Sequence, residues 1–264
     1  AYKLAWIVII LIFPAFGVAL YIIFSGNMLS HGSLKKMEFI NPVTERNLGA
    51  NRSVSDMIRA EDGAAAAQAE YILNASKNPP YRNEGIEYYK TGEEFFEVLL
   101  PELEKAEKYI FIEYFIIGYG KMWGAVYDIL KRKAAQGVDV RVIYDDIGSI
   151  MTLRRNFAEE LEKDGIACRI FHRFLPVLSA RQNNRDHRKI CVIDGKVAFT
   201  GGINIADEYI NTIVKYGYWK DNAIVTDGEA AWSFTVMFLS MWEYLCHTPA
   251  SEAGNYDKFK PDNL

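Results

Sequence analysis

One stretch of the sequence concentrates side chains able to do chemistry. It runs Asp186-His187-Arg188-Lys189-Ile190-Cys191-Val192-Ile193-Asp194-Gly195, and Thr200-Gly201-Gly202-Ile203-Asn204 follows. His187 and Lys189 are two positions apart, so on a strand their side chains leave the same face. An imidazole beside an ammonium suits attack on a phosphodiester. The neutral ring supplies the nucleophilic nitrogen, and the lysine offsets charge on the phosphate oxygens. Gly201 and Gly202 precede an expected helix start, where open backbone N–H groups and the positive end of a helix dipole would face an anion. Asn204 adds a neutral amide donor. Arg181, Arg185, Arg188, Lys189 and Lys196 outnumber Asp186 and Asp194 here, so a local positive charge is expected. Asp194-Gly195 between two apolar runs reads as a hairpin turn, which gives Asp194 a structural role inside the motif. Glu113 lies in an apolar run, and a buried carboxylate needs a partner. It is a supporting candidate for the site or half of a salt bridge.

The frame for these residues is an alternation of apolar runs. Ile86–Tyr89, Tyr109–Ile117, Val138–Tyr144 and Ala167–His172 read as strands. Gly92–Ala106, Trp123–Ala135 and Leu153–Lys163 read as the helices between them. Strands alternating with helices of this length predict an α/β fold with a mostly parallel β-sheet flanked by helices. Lys189–Ile193, Val197–Thr200 and Trp219–Thr226 are further strands, and Glu229–Cys246 is a long helix.

The chain of 264 residues is 50% hydrophobic and 24% charged, which excludes a disordered or low-complexity protein. Its net charge of -4 argues against a nucleic-acid partner. Cys168, Cys191 and Cys246 are widely spaced without a CxxC pair, so reduced thiols are expected and a zinc site is not. Leu4–Phe24 is uncharged over 21 residues, roughly 31 Å as a helix, and predicts one transmembrane helix. Lys35, Lys36, Arg46 and Arg52 follow it and only Lys3 precedes it, which puts the bulk of the chain in the cytoplasm. The expected organisation is a transmembrane helix over residues 1–27, a juxtamembrane linker with a helix over 28–80, and a catalytic unit over 81–264.

His187-x-Lys189-x4-Asp194, followed after six residues by Gly201-Gly202-x-Asn204, resembles the signature of the phospholipase D superfamily. Pro14-x-x-Gly17-x-x-x-Tyr21-x-x-Phe24, Glu113-Tyr114-Phe115-Ile116, Phe199–Asn204 and Trp219-Lys220-Asp221 are similar to bacterial cardiolipin synthases, over nearly the whole chain. The resemblance implies one phospholipase D-like half domain working through a phosphohistidine. His187 would attack the phosphorus of one phosphatidylglycerol, glycerol would leave, and a second phosphatidylglycerol would attack to give cardiolipin. Lys189 and Asn204 would hold phosphate oxygens. Asp221 would accept a hydrogen bond from His187 and fix its tautomer. No cofactor and no metal is implied.

The family's site uses two such motifs, the second histidine serving as general acid. His31, His172 and His247 lack a lysine two residues on. The partners implied are therefore membrane phospholipid and either a carboxyl-terminal half or a second copy. The chain reads as the amino-terminal half of a synthase at the bacterial inner membrane. A single-motif homodimeric phosphodiesterase or nuclease is one alternative, and a noncatalytic membrane-tethered phospholipid-binding protein is another. The net negative charge weighs against a nuclease, and intact His187, Lys189, Asn204 and Asp221 weigh against decay to a binder.

Overall fold

A computed structural model describes residues 2–24, 31–49, 51–174, 184–249 and 252–261. Arg181 of the expected basic stretch, residues 25–27 of the expected span, and the side chains of Lys35 and Lys36 lie outside the described residues. Five helices come first: α1 (Tyr2–Ile12), α2 (Pro14–Phe24), α3 (His31–Leu48), α4 (Arg52–Glu61) and α5 (Gly63–Ser76). Strand β1 (Asn83–Tyr89) then leads into α6 (Gly92–Glu104), β2 (Tyr109–Tyr114), α7 (Lys121–Ala135) and β3 (Asp139–Asp145). Next come α8 (Asp146–Ser149), α9 (Phe157–Lys163), β4 (Ala167–Phe171), β5 (Lys189–Ile193), β6 (Val197–Gly201), β7 (Ala223–Gly228) and α10 (Glu229–Cys246).

Among the described residues the strands form one seven-stranded sheet in the order β1-β7-β6-β5-β2-β3-β4. The α/β class holds, but the sheet is mixed rather than mostly parallel. Only β2 with β3 and β3 with β4 run parallel. The pairs β2–β5, β5–β6, β6–β7 and β1–β7 are antiparallel. The cause is how each pair is joined. Helical crossovers through α7 and α9 return the chain to the same end of the sheet, which makes the next strand parallel. Asp194-Gly195 instead turns β5 directly into β6. Both residues have positive φ, 53° and 66°, the backbone of a type I′ hairpin.

The sheet buries both faces. On one, Phe95 and Leu99 of α6, Val126 and Leu130 of α7 and Phe157 and Leu161 of α9 cover Ile110, Ile112, Val140 and Val142. On the other, Trp232, Val236 and Leu239 of α10 cover Phe111, Ile143, Val192 and Ala198. Side chains alternate along each strand, so residues at odd and even positions of β2 serve different cores. Helix α3, within the stretch expected as a linker, packs on α10. Val43 and Leu48 join that second core, and Trp232 Nε1 donates to Asn47 O at 3.0 Å.

The expected single transmembrane helix is corrected. Leu4–Phe24 breaks at Phe13 into α1 and α2, each of 11 residues and about 16 Å long. Pro14 has no N–H to continue the ladder and opens the second helix instead. Gly17 lets the two segments approach, because a Cβ there would collide with Ile9 O and Ile10 Cα. The rings of Trp6 and Tyr21 meet at 5.6 Å, where one straight helix would hold them about 22 Å apart. Among the described residues no helix is long and apolar enough to cross a membrane.

Candidate functional site

The site forms where several strands end on one edge of the sheet. Lys189 opens β5 opposite Tyr114, the last residue of β2, and Gly201 closes β6 opposite Ala223, the first of β7. His187, two residues before the start of β5, is exposed, whereas Lys189 is only 5% exposed. Lys189 Nζ lies 3.1 Å from His187 Nδ1 and donates to His187 O at 2.7 Å. An ammonium has no lone pair, so at the first contact Nδ1 accepts and the ring hydrogen sits on Nε2. Burial lowers the Lys189 pKa below the ordinary lysine value, and the charges of Asp186 and Asp221 partly oppose that fall.

Phe115 was not singled out from the sequence as a site residue, yet its ring lies 4.7 Å from the His187 ring and 5.4 Å from Lys189 Nζ. It gives the imidazole an apolar wall and the ammonium a π face. Tyr209 was missed too. Its hydroxyl accepts from Asn204 Nδ2 at 2.7 Å, while Asn204 Oδ1 accepts from Ile116 N–H at 2.9 Å. Asn204 is thus a buried brace, with one amide hydrogen beyond the bond to Tyr209.

Three expectations change here. No helix follows Gly201-Gly202: the segment runs through bends and turns, with Ile203, Asn204 and Ile205 buried. Gly202 N–H is committed to Asn222 O at 3.0 Å. The two glycines serve close approach instead, because a Cβ at Gly201 would strike the backbone of Asn222 and Ala223, and one at Gly202 the Asp221 carboxylate. Asp221 makes no hydrogen bond to His187 among the described residues. Its carboxylate accepts from Asn222 N–H at 2.8 Å and from Trp219 Nε1 at 3.5 Å, and its charge reaches Lys189.

Asp194 is not brought to this edge. It follows Ile193, the far end of β5, which itself lies four residue steps and about 13 Å beyond Lys189 on the strand. There its carboxylate accepts the backbone N–H groups of Glu107, Lys108 and Tyr109 at 2.8, 2.8 and 2.7 Å. Replacing it with Ala strands three donors around a side chain only 5% exposed. Asp194→Ala is expected to destabilise the fold by about 2–4 kcal/mol, read by urea denaturation. The folded fraction should keep its site chemistry, and wild-type stability with lost chemistry would return Asp194 to the site.

Glu113 also lies away from His187 and Lys189, because odd positions of β2 face the α10 side. It is fully buried, and its Oε1 lies 2.6 Å from Arg188 Nη2. Burial pushes the Glu113 carboxyl well above the usual range, Arg188 opposes this, and Asp186 adds to it. Burial also acts on Asp186, but the hydrogen bond from Glu113 and the charge of Arg188 bring it below the usual value. Burial and mutual repulsion thus act on a pair of carboxyls that Arg188 bridges. Arg188 Nε donates to Asp186 at 3.0 Å, and Arg185 grips Asp145 at 2.8–3.0 Å. Asp145 also accepts Asp186 N–H at 3.0 Å. Arg185 and Arg188 are thus spent on buried carboxylates on both sides of His187. They fix the loop that carries it rather than adding positive charge to the site.

The family described as "Cardiolipin synthase, PLD-like domain" matches residues 99–242. An uncharacterized protein of Streptococcus mutans is 41% identical over 244 residues, covering 90% of this chain and 52% of that protein. The cardiolipin synthase of Listeria welshimeri is 29% identical over 258 residues, covering 90% of this chain and 50% of the relative. The chain spans about half the length of these curated relatives. Among solved structures, Nuc of Salmonella typhimurium, a phospholipase D family member, superposes with a TM-score of 0.46 at 18% identity, over 61% of this chain and 96% of that one.

Proposed function

The chain belongs to the PLD-like domain family of cardiolipin synthases, and from that membership we propose that it forms one catalytic half of a phosphatidyltransferase that makes cardiolipin from phosphatidylglycerol. The observation that carries this is the His187 Nδ1 to Lys189 Nζ contact of 3.1 Å on an exposed edge of the sheet. When a phosphodiester arrives, the ammonium exchanges the ring nitrogen for a phosphate oxygen and releases the imidazole as nucleophile. A ring nitrogen bonds to phosphorus. The P–O bond to the glycerol headgroup breaks, its electron pair goes to oxygen, and that oxygen takes a proton. The hydroxyl of a second phosphatidylglycerol then bonds to phosphorus, the P–N bond returns its pair to the ring, and the hydroxyl proton is released. The acid for the leaving oxygen comes, in this reading, from the matching histidine of a second half or second copy. The reading places the protein at the cytoplasmic face of the bacterial cell membrane. The apolar side chains that α1 and α2 leave exposed, among them Leu4, Leu11, Phe16 and Ile22, support that placement.

Phosphatidylglycerol liposomes and the assembled protein test the reading. Cardiolipin and free glycerol should appear in equal amounts, and release of phosphatidic acid without cardiolipin would make the protein a hydrolase. Asp221→Asn refines the role of the carboxylate. If Asp221 acts by holding charge on Lys189, the variant should lose roughly 10–100-fold at neutral pH. The alkaline limb of its pH–rate profile should also move to lower pH. Loss of the phosphoenzyme at every pH would show instead that Asp221 grips His187 directly.

A further inference from the structure

Beside the His187 edge, at the carboxyl ends of β3 and β4, lies a cavity of about 430 Å³, a size typical of small-molecule sites. Arg154, Arg155 and Arg173 line it together with Asp146. All three arginines are exposed, and among the described residues none of them forms an ion pair with a carboxylate. Arg154 lies 5.7 Å over the Tyr119 ring. Asp146, the one acidic group lining the cavity, accepts the backbone N–H of Phe174 at 2.6 Å. Three guanidiniums against one carboxylate leave an excess of positive charge in a chain whose net charge is -4. That contrasts with Arg185 and Arg188, which are consumed by carboxylates.

The cavity is tied to the site through Phe115. Ser149, also in its lining, donates from Oγ to Phe115 O at 3.3 Å and accepts Ile117 N–H at 3.1 Å. The Phe115 ring in turn packs on His187. Ser149 and Phe115 thus connect the wall of the cavity to the nucleophile. Guanidinium forks match phosphate oxygens two at a time, and Tyr144, Leu153 and Ile170 give the other wall an apolar surface.

We propose that this arginine-lined cavity binds the phosphodiester of the second, acceptor phospholipid while its headgroup hydroxyl reaches the phosphohistidine on His187. The inference rests on the transferase reading and names the charge that selects its acceptor. In phosphatidylglycerol the attacking hydroxyl sits on the glycerol that esterifies the lipid's own phosphate. Any acceptor of this kind therefore brings a second anion close to the reacting phosphorus. Lys189 is already engaged with the donor phosphate in this reading, and a separate cationic cavity gives the second anion partners of its own. A free phosphate shares the same oxygen chemistry, so the source is decided by experiment.

Arg154→Gln/Arg155→Gln, with Arg173→Gln as an independent second variant, separates the outcomes. All three side chains are exposed, so folding should be unaffected, checked by melting temperature. In the assembled protein, transfer from labelled phosphatidylglycerol is measured to two acceptors, phosphatidylglycerol and ethanol. The variants should lose roughly 10–100-fold in kcat/KM toward the charged acceptor, mainly through KM, and less than about threefold toward ethanol. Equal losses toward both acceptors, or no loss, would overturn the proposal. A second measurement needs no turnover: equilibrium dialysis of glycerophosphoglycerol and of inorganic phosphate against this chain. Binding of the diester should weaken roughly tenfold or more in the variants. Unchanged binding, or tighter binding of inorganic phosphate than of the diester, would overturn it as well. An assembled protein with no transfer to either acceptor would sink the transferase reading, while the dialysis still decides the arginine site.

Discussion

His187→Ala is expected to abolish phosphatidyl transfer and the phosphoryl-enzyme adduct together, with a fall in turnover of at least roughly 10⁴-fold. The substitution removes the atom that bonds to phosphorus, and no neighbouring group replaces it. Lys189 Nζ is an ammonium without a lone pair. Asn204 is buried and committed to Ile116 and Tyr209. The fold should not suffer, because His187 is exposed and, among the described residues, its ring rests on Phe115 and meets the Lys189 ammonium. The loop stays held from both sides through Arg185 on Asp145 and Arg188 on Asp186. A denaturing quench at alkaline pH with ³²P-labelled lipid gives the reading, since a phosphoramidate on histidine survives alkali and is lost in acid. An adduct of wild-type abundance in His187→Ala would place the nucleophile elsewhere.

Much of this arrangement is legible in the sequence, and the parts that are not share a physical cause. Local rules suffice for α10, which runs over the expected Glu229–Cys246, and for the hairpin at Asp194-Gly195. They also suffice for the shared face of His187 and Lys189, since two-residue periodicity needs no tertiary information. Strand direction is different. An apolar run reads the same whichever way its neighbour points, so apart from the β5–β6 hairpin, the strands β5, β7 and β1 could be found but not oriented against their other neighbours. The helix expected after Gly202 fails for a tertiary reason, because Asn222 O captures its N–H and the buried Ile203 and Ile205 tie the segment to the core.

The same holds for charge. Arg185 and Arg188 look like phosphate ligands by their closeness to His187 in sequence. Their carboxylate partners Asp145 and Glu113 come from β3 and β2, 40 and 75 residues away. Local counting sees the cations and not what neutralises them. Phe115 was hidden for a related reason. In a run such as Tyr114-Phe115-Ile116 an aromatic side chain reads as core, and only the end of β2 at Tyr114 turns it toward the imidazole. The break at Pro14 was visible, but its consequence was not. A proline tolerated in a membrane helix and a proline that opens a helical hairpin have the same sequence, and the close approach at Gly17 distinguishes them.

Lys189→Met should separate catalysis from stability more sharply than any other change at this edge. The side chain is nearly buried, and burial works against its charge, holding its pKa below that of an ordinary lysine despite Asp186 and Asp221. A base whose folded pKa lies below its unfolded pKa binds fewer protons folded than unfolded between those two values. Stability therefore rises with pH across that window, and below it the charged lysine is a net cost to the fold. Methionine fills similar volume without the charge, so the variant should be as stable as wild type or more so at neutral pH, and the rise toward alkaline pH should disappear. The contacts given up are the bond to His187 O and the one to Nδ1. Transfer should nevertheless fall by roughly 10³–10⁵, because among the described residues the neighbouring cations, Arg185 and Arg188, are held by carboxylates and cannot take over the phosphate oxygens at His187. Wild-type activity should carry the matching signature, an alkaline limb set below the ordinary lysine value of about 10.4. A large drop in melting temperature with turnover retained would show that Lys189 is structural, held near His187 by the fold rather than for the reaction.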